Sequence, residues 1–215
     1  MYTRHPKQPR WRQSVYPVRS YRRMINELAH REDSRGTDIP ITVGILIADY
    51  RRNFCRENIC SQIERLDKKS GPLIDFYIPG YIRTIVEDSE SDCLCFKDAG
   101  YRFSRYDFDE FIYKLEDRGI KVTGHAQLLL IPYEKKRLWF RDAISFDLEK
   151  DESSGKIEST KLFFDFIFAI SKRTTDFEEF RKKINFERTR VAVIEFVKEQ
   201  LLSSLWSLLT SPFSK

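Results

Sequence analysis

Cys55 is the residue whose position most invites chemistry. It follows Asp49, Tyr50, Arg51 and Arg52, has Arg56 beside it, and falls where the apolar spacing Cys55, Ile59, Ile63, Leu66 predicts the start of a helix. A helix N-terminus and neighbouring guanidinium groups both stabilise a thiolate, so a cysteine in this setting is a candidate nucleophile. The plainer reading is that a cysteine sharing the Ile59 and Ile63 stripe packs as a small hydrophobe. Cys60 lies about 140° around a regular helix from Cys55, so the two are not placed to pair within one.

A second constellation surrounds the first. Asp49, Tyr50, Arg51 and Arg52 close one apolar run, and Tyr77, Gly80 and Tyr81 close the next. Arginines beside aromatic rings suit a phosphate, a nucleotide or an acidic peptide. Asp49, Tyr50, Arg51, Arg52, Tyr77 and Tyr81 are therefore the candidate ligand-binding set, with solvated surface arginines as the ordinary alternative. No Gly-rich phosphate loop supports a nucleotide. Asp49 and Asp75 could act as paired carboxylates, but Asp75 sits early in its strand, which predicts opposite ends of a sheet. Cys93 and Cys95 lack the paired Cys-x-x-Cys spacing of a zinc site, so neither metal nor cofactor is expected.

The charge is lopsided. Residues 1–36 carry nine basic residues against three acidic ones, leaving 29 basic and 30 acidic residues in the remainder. Any electrostatic steering must come from the N-terminal part. Arg4, Lys7, Arg10 and Arg12 interleave there with Trp11, and Arg19, Arg22 and Arg23 with Tyr16 and Tyr21. That mixture suits phosphate contacts with base stacking, and equally docking on an acidic protein surface.

These residues need elements to position them. Ile41 to Ile47 reads as a buried strand, the following helix stops at Gly71 and Pro72, and Leu73 to Ile78 is a second strand, which makes a βαβ unit. Ile82 to Tyr106 reads as a loop; Asp107 is the expected cap of a helix bearing Phe108, Phe111, Ile112 and Leu115, ended by Gly119. Two strands follow, Ala126 to Ile131 and Ile144 to Leu148, then an aromatic helix capped by Ser159 or Thr160, and a helical region headed by Asp176 and Glu179. From about Phe186 to Leu209 a long amphipathic helix is expected, with Val193, Val197, Leu201, Leu205 and Leu208 on one stripe. So broad an apolar face calls for a partner protein or a second copy of the chain.

The order β-α-β-α-β-β-α from Ile41 to Ser171 resembles the thioredoxin-like fold. The resemblance implies an α/β class with a βαβ-α-ββα core and a mixed sheet over residues 39–172, flanked by a basic N-terminal arm (1–38) and a C-terminal helical extension (173–215). Redox members of that fold carry Cys-x-x-Cys at the first helix and a cis-proline before the third strand. Here Cys55 and Cys60 are separated by four residues, and Val122, Thr123, Gly124, His125, Ala126 precede the third strand. Cys55 thus matches the nucleophile by position alone. Asp49 to Tyr81 also resembles uncharacterised bacterial proteins.

Four unevenly placed cysteines, the lack of a signal-peptide apolar run and the lack of an apolar stretch of transmembrane length predict free thiols and a cytoplasmic location. The expected function is a non-catalytic binding or regulatory module that assembles through its C-terminal helices and engages a macromolecular partner. A thiol enzyme using Cys55 and a nucleic-acid-binding accessory protein acting through the basic arm are the alternatives.

Overall fold

The computed structural model describes residues 15–35, 41–70, 74–83, 101–123, 126–174 and 176–186. The chain forms two compact units, Met1–Glu149 and Lys150–Lys215.

The first unit is α/β with a mixed sheet. Its strands are β1 (Val15–Val18), β2 (Ile41–Ala48), β3 (Ile74–Pro79), β6 (Ala126–Glu134), β7 (Arg137–Leu138) and β8 (Ile144–Asp147), in the order β1-β3-β2-β6-β7 with β8 also paired to β6. β1, β3 and β2 run parallel, whereas β6 is antiparallel to β2 and β8 antiparallel to β6. Val43, Ile45, Leu46 and Ile47 are all buried. A strand covered on both faces reads as a continuous apolar run rather than an alternation, which is why β2 is visible in sequence. One face carries a core of Val43, Ile45, Tyr77, Leu129 and Ile131 with Met24 and Leu28 of α1 (Tyr21–Arg35) and Phe111 and Leu115 of α3 (Arg105–Glu116).

Of the expected N-terminal arm, residues 15–35 are described, as a strand and a helix that both dock on the sheet. Val15–Val18 is an edge strand in register with Phe76 to Pro79, and Val15, Tyr16 and Val18 are buried. Four residues are too few to show a strand period, and Pro17 is tolerated because an edge strand pairs on one side only. The α1 helix is tied to β3, next to this edge, by an ion pair of 2.5 Å between Arg31 Nη1 and Asp75 Oδ2.

Residues 53–70 are helical, but irregularly so: a π-turn (Cys55–Ile59), a short tight turn (Cys60–Gln62) and then α2 (Ile63–Ser70). Cys60 N–H donates to the Cys55 carbonyl, five residues back. The helix packs along β1 and β3. Asn53 does not cap it; the Asn53 side-chain oxygen accepts from Arg56 instead. Cys60 is disulfide-bonded, so the expectation of free thiols is corrected there.

The expected loop from Ile82 to Tyr106 contains a ribbon, β4 (Tyr81–Arg83) against β5 (Tyr101–Phe103), whose three-residue strands carry too little pattern to be read. The α3 helix starts earlier than expected. Ser104 is its cap, with Ser104 Oγ accepting from Asp107 N–H at 3.3 Å, and Asp107 stands in the first turn. Gly119, at φ 80°, follows its end in the left-handed conformation that a helix C-terminus favours. β8 stops at Asp147 and Leu148 already belongs to α4 (Leu148–Ser153).

In the second unit Ser159 caps α5 (Thr160–Ser171), and Glu152 accepts from both the N–H and the hydroxyl of Thr160. Asp176 accepts from Glu179 N–H at 2.8 Å at the head of the helix over residues 177–186. The C-terminal stripe from Val193 to Leu208 lies outside the described residues, as do Arg4, Lys7, Arg10, Trp11 and Arg12.

Candidate functional site

The site forms where β2 ends. Asp49 is buried, and its carboxylate gathers two arginines from separate elements. Oδ1 accepts from Arg51 N–H at 3.2 Å and Arg51 Nε at 3.0 Å, while Oδ2 accepts from Arg51 Nη2 at 2.9 Å and Arg105 Nη1 at 2.8 Å. The hydrogen bonds from Arg51 hold the carboxyl below its ordinary range, against burial, which pushes the other way. The Arg51 and Arg105 side chains remain about half exposed, at 56% and 49%. Arg105 is further held by Asp109 at 2.6 Å.

Beneath them is an aromatic floor. Tyr50 meets Tyr81 edge-on at 5.3 Å and Phe103 at 6.2 Å, and Phe103 lies 5.4 Å from Phe108. Arg105 stands 5.6 Å over the Phe108 ring. Gly80 makes this packing feasible: at φ 87° it turns the chain from β3 into β4, and a Cβ there would sit 2.7 Å from Phe103 and 2.8 Å from Phe108. Its carbonyl accepts from Ser104 N–H at 2.7 Å, which brings the start of α3 to the end of β3.

The predicted set is therefore split. Asp49, Tyr50, Arg51 and Tyr81 come together, and Arg52 is exposed on the adjoining turn. Tyr77 leaves the group. It stacks on Tyr16 at 5.3 Å inside the sheet core, with burial and the charge of Asp75 raising its hydroxyl pKa. Asp75 pairs in register with Val43, six residues before Asp49. At strand rise, the two backbone positions are about 20 Å apart along the sheet, as the early position of Asp75 in its strand predicts.

Arg105 is the residue that sequence reasoning missed. Ser104 followed three residues later by Asp107 is a capping-box spacing, and it would have placed Arg105 at the first helical position.

Cys55 takes the place expected of a nucleophile but not the environment. It is fully buried, and its thiol is pushed up to about 12, first by burial and then by the charges of Glu149 and Asp49. Arg52 and a backbone hydrogen bond from Asp49 act in the opposite direction without prevailing. Arg51, expected to activate the thiol, is committed to Asp49 instead.

Of the basic residues near the N-terminus, Arg19 donates to Asp107 at 2.8 Å, and Arg22 and Arg23 are exposed in the first turn of α1. Among the described residues no group of three or more His, Cys, Asp or Glu is placed to hold a metal ion, and no helix is long and apolar enough to cross a membrane.

With this geometry in hand, comparison with known proteins finds no matching family model, no matching curated protein and no matching solved structure.

Proposed function

We propose that this chain is a non-catalytic binding module on a thioredoxin-like core, which holds an anionic group of a macromolecular partner at Arg51 and Arg105. The fold part of the reading is supported by the order β3-β2-β6-β8, a parallel βαβ followed by an antiparallel ββ pair. The observation that carries the functional part is the buried Asp49 carboxylate gripping the guanidinium groups of two half-exposed arginine side chains. Guanidinium groups already positioned by carboxylates can offer their remaining N–H donors to an anion with less rotamer entropy left to lose. The high thiol pKa of Cys55 favours holding over covalent catalysis at the same helix start. Assembly through the C-terminal helices remains part of the proposal on the strength of their apolar stripe.

The test is calorimetric titration of the full chain with inorganic phosphate, ADP and octaglutamate. At least one probe binds; C55A leaves that affinity unchanged, and R51A/R105A weakens it at least tenfold. Binding indifferent to R51A/R105A, or a turnover that C55A abolishes, would overturn the reading.

A further inference from the structure

The start of α1 and the length of α3 enclose a second recess of about 610 Å³, within the first unit and built from residues other than the Arg51 and Arg105 pair. Three contacts join its walls. Arg19 is pinned to Asp107, the Tyr21 ring packs edge-on against Phe111 at 5.8 Å, and the Arg118 guanidinium lies 4.3 Å over Tyr21. Arg118 also donates to the Lys114 carbonyl at 2.8 Å, so its charge is fixed at one end of the recess. At the other end Tyr106 is 76% exposed, and on the same helix Tyr113 is 62% exposed. The two tyrosines are seven residues apart, hence on one side of α3, with Tyr106 in the lining of the recess and Tyr113 beside it.

The charges within this recess are unequally spent. Asp107 is consumed by Arg19 and by the Ser104 hydroxyl at 2.5 Å. Asp117 stands 3.7 Å from Arg118. Arg22 and Lys114 then face the opening against a single acid, Glu110. Exposed tyrosines with arginines at their side are the residue types enriched at the centres of protein interfaces.

We infer that this recess between α1 and α3 docks an acidic, aromatic-bearing peptide segment of a partner protein. The segment's carboxylates meet Arg22 and Lys114, and its apolar side chains cover Tyr106 in the recess and continue onto Tyr113 beside it. A nucleic-acid strand fits less well. It carries a charge at every nucleotide and would set phosphates against Glu110 and Asp117, whereas a peptide can place a neutral or basic residue there. This docking surface does not depend on the Arg51 and Arg105 reading.

The experiment uses the full chain and a dye-labelled dodecapeptide with Glu at alternate positions and Tyr or Phe between them, followed by fluorescence anisotropy. R22E/K114E should weaken binding at least tenfold, and Y106A several-fold. The charge-matched R141E/K121E, which alters exposed residues outside the recess, should change it less than threefold. Absence of peptide binding, or equal loss in R22E/K114E and R141E/K121E, overturns the inference. So does tighter binding of labelled dT12 that R22E/K114E abolishes, which would make the recess a nucleic-acid site. Circular dichroism of each variant, unchanged from the parent, assigns the losses to the recess. Loss of the peptide in R51A/R105A alone would refute this surface while leaving the proposed function standing.

Discussion

Removing the Cys55 thiol should flatten part of the protein's alkaline instability. The thiol is fully buried and raised from an ordinary value of 9.0 to about 12. A group whose folded pKa lies above its unfolded value favours the folded state fully below the unfolded pKa, and that contribution is lost as pH rises towards the folded pKa. In this case the unfolded chain releases the proton first, between pH 9 and 12, and is stabilised by doing so. With those two values the loss from pH 8 to pH 10 is about 1.4 kcal/mol, rising to about 4 kcal/mol once both states are ionised. Urea unfolding of the parent and of C55A at pH 8, 9 and 10, followed by circular dichroism, reads this as a difference in slope. The subtraction cancels the raised tyrosines Tyr77 and Tyr133, which both proteins retain. Alkylation gives an independent reading. At pH 8 the native thiol presents roughly a thousandfold fewer thiolates than the unfolded one, so iodoacetamide should label Cys55 slowly and only through opening of the fold. Parallel pH profiles for parent and C55A, together with fast labelling at neutral pH, would refute the buried-thiol argument and revive Cys55 as a nucleophile.

Two further predictions concern the scaffold around the site. G80A combines a left-handed backbone worth about 1–2 kcal/mol with overpacking against Phe103 and Phe108 worth about 1–3 kcal/mol, so it should cost more than either alone. G119A shares the positive φ but meets open space, so urea unfolding should show it milder by at least 1 kcal/mol on that overpacking range; equal losses would mean that the aromatic floor yields freely. R31A strips the partner from a carboxylate that is 1% exposed, at a cost of about 3 kcal/mol, the lower end for buried pairs because Arg31 is itself a fifth exposed. Adding D75N should recover at least about 1 kcal/mol, since no charge then remains buried; a double variant no more stable than R31A would show that the ion pair is not what holds α1 to the sheet edge.

Much of the architecture was legible because it is written locally. The continuous apolar run of β2, the helical stripe through Cys55, Ile59 and Leu66, the stop at Gly119 and the cap at Ser159 each depend on residues within a turn or two of one another. Sequence by itself therefore determined the α/β class and the meeting of Asp49, Tyr50 and Arg51 at a strand end. The site's remaining properties depend on residues far apart in the chain. Arg105 reaches Asp49 across 56 residues, and nothing in the spacing of either segment announces that bond. Tyr77 and Tyr81 look equivalent in the chain, yet the positive-φ turn at Gly80 sends them to different neighbours, one into the sheet core and one onto the aromatic floor. β1 gains its identity only by pairing with β3. Cys55 illustrates the division most directly. Helix position and flanking arginines argue for a low thiol pKa from the sequence, but the charged form needs solvation, and only the packed fold decides that water is absent.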